Sequence, residues 1–65
     1  MNKQQQQKTL AEAVYYLNDA IINWSRSGTT RCKIPDHYKE VLPQIYDWAV
    51  AMGYKINGNY IEWQL

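Results

Sequence analysis

IPDHYKEVLPQIYDWAVAMGYKINGNYIEWQL, residues 34–65, is the stretch whose reading decides the fold. Within it Val41, Ile45, Trp48 and Met52 recur at four-three-four spacing, the pattern of one helix face. Gly53 stops that pattern. Beyond it, Tyr54-Lys55-Ile56 and Tyr60-Ile61-Glu62-Trp63 flank Asn57-Gly58, a strong short-range hairpin signal. A helix running into a hairpin is therefore the unit that the upstream residues must pack against.

The hairpin assigns its own faces, because side chains alternate along a strand. With Asn57-Gly58 as the loop, Tyr54, Ile56, Ile61, Trp63 and Leu65 share one side, and Lys55, Tyr60, Glu62 and Gln64 the other. Moving the loop to Gly58-Asn59 keeps both faces and sets Lys55 opposite Glu62. In either register the apolar side belongs on the helices.

Earlier in the stretch, Pro35 suits a first helical position and Asp36 favours the positive helix end. Pro43 inside a helix would lose a hydrogen bond and clash with the carbonyl of Lys39. Because the residue before a proline avoids helical geometry, the favoured reading is a short helix ending near residue 41 and a second opened by Pro43. One helix kinked at Leu42–Pro43 is the alternative.

Residues 9–25 form the clearest helix. Thr9 can cap its start, with Glu12 completing a capping box, and a start among the glutamines is the equal alternative. Leu10, Val14, Leu17, Ile21 and Trp24 make a continuous stripe, with Ala13 and Ala20 beside it. Tyr15 and Ile22, seven apart, make a second apolar line. One neighbouring helix cannot cover so wide an arc, so the hairpin or another chain must. Residues 1–8, with four consecutive glutamines, read as a frayed or flexible start or as the first turns of this helix.

In the connector, Gly28 supplies the backbone freedom for leaving the helix, and Thr30, Cys32 and Ile34 alternate with Arg31 and Lys33. A third strand at 30–34 would turn a marginal hairpin into a sheet. The fold class is thus α+β in a single small domain, 1–65. Two to three helices (about 9–25, 35–42 and 43–52) pack on a C-terminal hairpin (54–57, 60–64), with 30–34 as the candidate third strand.

Sixty-five residues bury only about 60% of their unfolded surface, and a core this small supplies roughly 3–5 kcal/mol. Cys32 is the single cysteine, so no internal disulfide forms and a reducing, cytoplasmic setting is expected. One Cys and one His make no four-ligand zinc set, and no metal or cofactor is expected. No run is apolar enough for a membrane span, and the net charge of +1 creates no strong field toward nucleic acid or membrane. A homodimer is one remaining route to stability. Six Tyr and three Trp with no Phe give an aromatic set with polar handles, the kind enriched at interfaces and at half-wet core edges.

Chemistry has little to stand on. Cys32 and His37, with Asp36 to orient them, are the sole nucleophile–base pair, and no glycine-rich oxyanion loop accompanies them. A buried apolar Cys32 and a surface His37 are the simpler reading, so no enzyme is expected. Arg26, Arg31 and Lys33, among Ser25, Ser27, Thr29 and Thr30, could contact an anion or nucleic acid. They equally suit a solvated loop at the negative end of the first helix.

The order helix, strand, helix, helix, hairpin over about residues 9–65 resembles a winged helix-turn-helix domain. That resemblance implies a DNA-binding regulator whose last helix before the wing, residues 43–52, reads the major groove. Here that segment has no Lys or Arg and carries Asp47. The leading expectation is instead a non-enzymatic protein-binding module acting through Tyr15, Ile22, Tyr46 and Val50. Its size and its richness in Asn, Gln, Ile and Tyr look like small phage accessory proteins, which bind and block a host or defence protein. The partner is then such a protein, or a second copy of the chain.

Overall fold

A computed structural model describes residues 3–65. It is a small α+β domain with one long helix, a second helix and a three-stranded antiparallel sheet. Helix α1 spans Lys3–Arg26, strand β1 Arg31–Lys33, and a 3-10 helix Asp36–Val41 leads into helix α2, Leu42–Met52. Strands β2 (Lys55–Asn57) and β3 (Tyr60–Glu62) form the hairpin. The sheet order is β1-β3-β2, so the connector strand pairs with the last strand and not the nearer one.

Helix α1 begins earlier than the capping signal predicts. Thr9 lies inside it, and its hydroxyl donates to the Gln5 carbonyl one turn back at 2.9 Å instead of capping a start. Glutamine is a good helix former, and residues 3–8 extend the helix, the second of the two readings of that tract; residues 1–2 of the expected frayed or flexible start lie outside the described residues. At 1.5 Å per residue the 24 residues of α1 run about 36 Å, nearly the 38 Å long axis of the molecule. The rest of the fold covers only part of that length, and Gln4, Gln5, Gln7 and Lys8 are exposed.

Both α-helices end alike. Gly28, at φ 82°, donates to the Ser25 carbonyl while Thr29 donates to that of Trp24. Gly53, at φ 85°, donates to Val50 and Tyr54 to Ala49. In each case a left-handed glycine lets two amides turn back onto otherwise orphaned carbonyls, the Schellman arrangement. Pro35 sits just before the 3-10 helix at ψ 142°, not in its first turn, and its carbonyl accepts from Tyr38 N–H at 3.0 Å. The chain breaks at Val41 (φ −107°, ψ 16°), and Pro43 occupies the first turn of α2, where its missing N–H costs nothing.

The hairpin adopts the second of the two registers: Asn57 pairs with Tyr60, Ile56 with Ile61 and Lys55 with Glu62. The loop is Gly58-Asn59, and Gly58 at φ 61° is its one left-handed residue, as a type II′ turn requires. The strands are shorter than 54–57 and 60–64. Leu65 lies past the end of β3 and is exposed, against its placement on the apolar side.

The core joins Ala13, Leu17 and Ile21 of α1 to Cys32, Ile34, Tyr38 and Val41, to Ile45 and Ala49 of α2, and to Ile61 and Trp63. Trp24 and Met52 leave the predicted stripes and are about half exposed, at 51% each. Each lies in the final turn of its helix, where the chain must turn away and nothing further along covers it. Ala13 and Ala49 take the central places instead, their small side chains letting the two helices and the sheet close in. The Trp63 indole N–H donates to the Ser25 hydroxyl at 2.8 Å, tying the chain's end to the end of α1.

Candidate functional site

The two apolar lines of α1 meet opposite fates. Leu17 is fully buried, whereas Tyr15 is 79% exposed and Ile22 48%. At 100° per residue these two lie on the far side of the helix from Leu17, and neither α2 nor the hairpin reaches around to them. On α2, Tyr46 and Val50 lie one turn apart and are 52% and 57% exposed. The structure therefore places all four at the surface in two separate ridges. Tyr15 borders hollows lined by α1 and by Tyr38, while Tyr46 borders another lined by Leu42, Pro43, Asp47 and Ile56.

The cations divide differently. Arg31 and Lys33 alternate about buried Cys32 and so share the outward face of β1. Through the β1–β3 register Arg31 pairs with Glu62 and Lys33 with Tyr60. The Arg31 guanidinium lies over the Tyr60 ring, 4.3 Å from its centre, a favourable cation–π distance. Arg26 stands apart in the last turn of α1, where its charge complements the helix dipole. Tyr16, Trp24 and Thr29 join Arg31, Lys33 and Tyr60 around a hollow of about 350 Å³.

Sequence reasoning missed Tyr16, Trp24 and Tyr60 as part of this cluster. Tyr60 meets Lys33 only because β1 pairs with β3, a long-range choice that no local pattern announces. The alternation of Arg31 with Lys33 was the one readable signal.

Cys32 and His37 stand in different surroundings. The thiol is buried, it donates to the Lys33 carbonyl at a long 3.8 Å, and burial pushes its pKa up. Activation needs the opposite shift. His37 is exposed, with its ring 4.0 Å from that of Tyr38. Among the described residues no group of His, Cys, Asp and Glu is placed to hold a metal ion, and no helix is long and apolar enough to cross a membrane.

Comparison with protein-family models, with curated proteins and with solved structures returns no match to this chain.

Proposed function

We propose that the chain is a non-enzymatic protein-binding module whose contact surface is built from Tyr15 and Ile22 on α1 and Tyr46 and Val50 on α2. The observation that carries this reading is that all four are between 48% and 79% exposed on regular helix, while the core is complete without them. Two exposed aliphatic–aromatic pairs on rigid scaffold resemble the anchors of protein interfaces. Covering each would contribute on the order of 1 kcal/mol, half the value of burying a whole apolar side chain. An inhibitor or adapter of the phage accessory type, seated on a host or defence protein, is the role that such a small, near-neutral, ring-rich chain suits.

The test compares the tagged full chain with Y15D/I22D and Y46D/V50D in capture from a host lysate. The expected result is one stoichiometric protein retained by the native chain and lost from both variants, with helical circular dichroism unchanged. Capture that survives both double substitutions would remove these ridges from the account.

A second reading, a small winged-helix-like DNA-binding regulator, draws support from the sheet order β1-β3-β2 and from the position of α2 just before the hairpin. Against it, α2 carries no cation and has Asp47 on its exposed side. Phosphate contact supplies most of the affinity of such proteins. A salt-dependent gel shift of duplex DNA that fails in R26E/R31E/K33E would favour this reading, and no shift at low salt would end it.

A further inference from the structure

β1 is an edge strand, and its ladder shows which of its backbone groups are already used. Trp63 N–H donates to the Thr30 carbonyl at 2.9 Å and Ile34 N–H to the Asn59 carbonyl at 2.7 Å. Cys32 lies between them, opposite Ile61. In an antiparallel ladder the bonding direction alternates residue by residue. Residues 30, 32 and 34 therefore turn their main chain toward β3, and Arg31 and Lys33 turn theirs toward the open edge. That edge presents the N–H and C=O groups of Arg31 and Lys33 in strand geometry, the Lys33 carbonyl also taking a long contact from the Cys32 thiol at 3.8 Å.

The hollow beside this edge has walls of Tyr16 and Trp24 from α1 and of Arg31, Lys33 and Tyr60 from the sheet. At about 350 Å³ it falls within the range of ligand clefts, roughly 300–1,000 Å³. Two cations line it and no carboxylate does. We propose that the β1 edge accepts, as a fourth strand, an extended segment of a partner protein in which acidic and apolar residues alternate.

The alternation follows from the pleat. Residues opposite Arg31 and Lys33 share their outward face, where a carboxylate meets each cation. The residue opposite Cys32 points inward, toward the rings of Tyr16 and Trp24. Acidic–apolar–acidic is thus the sequence the edge reads, with main-chain bonds supplying affinity, as in other strand additions. A second copy of this chain does not fit. Antiparallel pairing of two β1 edges about Cys32 sets Arg31 against the other copy's lysine, and like charges opposite one another are destabilising. A nucleic-acid strand meets the cations but leaves the open carbonyls facing phosphate oxygens, which cannot donate. This surface is distinct from the four-residue ridges and does not rest on that reading.

The experiment titrates the full chain with a seven-residue peptide alternating glutamate and valine, followed by calorimetry and by backbone amide spectra. The expected result is saturable binding, with slowed hydrogen exchange at the Arg31 and Lys33 amides. A peptide of the same composition with its glutamates in one block binds at least tenfold more weakly. R31E/K33E, both at exposed positions, loses binding at least tenfold, and a lysine–valine alternating peptide restores it on that variant. Y15D/I22D binds the native peptide unchanged, so failure here and failure of the helix ridges are told apart. Equal binding of alternating and blocked peptides, unprotected amides at Arg31 and Lys33, or binding of oligothymidine in place of the peptide each overturns the proposal.

Discussion

Leu17 and Tyr15 are two residues apart on α1 and both ring the helix with apolar surface, yet one is fully buried and the other 79% exposed. The inner line through Ala13, Leu17 and Ile21 is closed over by α2, the 3-10 helix and the sheet. The outer line through Tyr15 and Ile22 stays exposed, Tyr15 only bordering a hollow that Tyr38 of the 3-10 helix also lines. Periodicity identifies both lines equally well. What separates them is which side of α1 the 3-10 helix, α2 and the sheet pack against. The inner line is buried in the core, and the outer line lies at the surface, where the proposed contact would form.

That contrast can be broken most directly at its two ends. Leu17→Ala empties a fully buried position and is expected to cost about 2–5 kcal/mol, a large share of the stability of so small a domain. Urea denaturation should show a midpoint collapse without a change of helical signal in water, unless the variant fails to fold at all. A cost below 1 kcal/mol would mean that the inner line is not the core.

The covered side is also held by a polar tie. Ser25→Ala removes the acceptor of the Trp63 indole N–H, whose residue is 7% exposed. Leaving that donor unsatisfied is expected to cost about 1–3 kcal/mol, read as a thermal midpoint shift of several degrees. Ser25→Thr, which keeps the hydroxyl, should recover most of it.

A smaller effect sharpens the inner face of β1. Burial raises the Cys32 pKa in the folded chain, so over a window of alkaline pH the folded thiol keeps a proton that the unfolded thiol has lost. The unfolded state then binds fewer protons, and stability falls as pH rises above the unfolded value near ~8.5. Below that value the contribution is complete. Cys32→Val should flatten the decline between neutral and alkaline pH relative to the native chain. Parallel slopes for the two proteins would mean that the thiol is open to water.

The smallest stability effect belongs to the outer line. Tyr15→Ala and Ile22→Ala should each change unfolding free energy by no more than about 0.5 kcal/mol, while costing most of the affinity for the captured partner. A substantial loss of stability at Tyr15 would place it in the fold instead of at an interface.

Much of the architecture was legible because it is locally written. The Asn57-Gly58-Asn59 turn, the glycine stops at 28 and 53 and the opening of α2 with Pro43 in its first turn each depend on backbone chemistry carried by one or two residues. The strand of the connector was legible from the alternation about Cys32. What escaped depends on distant partners. Trp24 and Met52 fit their stripes by spacing but fall where no further chain covers them. Thr9 looks like a cap because glutamine's contribution to helix start is distributed over several residues and leaves no single signal. The aromatic cluster at the β1 edge needs the β1–β3 pairing, which is decided by the packing of the whole sheet on α1.

Sedimentation equilibrium of the pure chain tests most directly whether the outer line is surface kept for another protein. The account predicts a monomer of 7.7 kDa at micromolar concentration, unchanged in mass by Y15D/I22D or Y46D/V50D. A tight dimer that either double substitution disperses would contradict it, since the chain would then cover its own ridges.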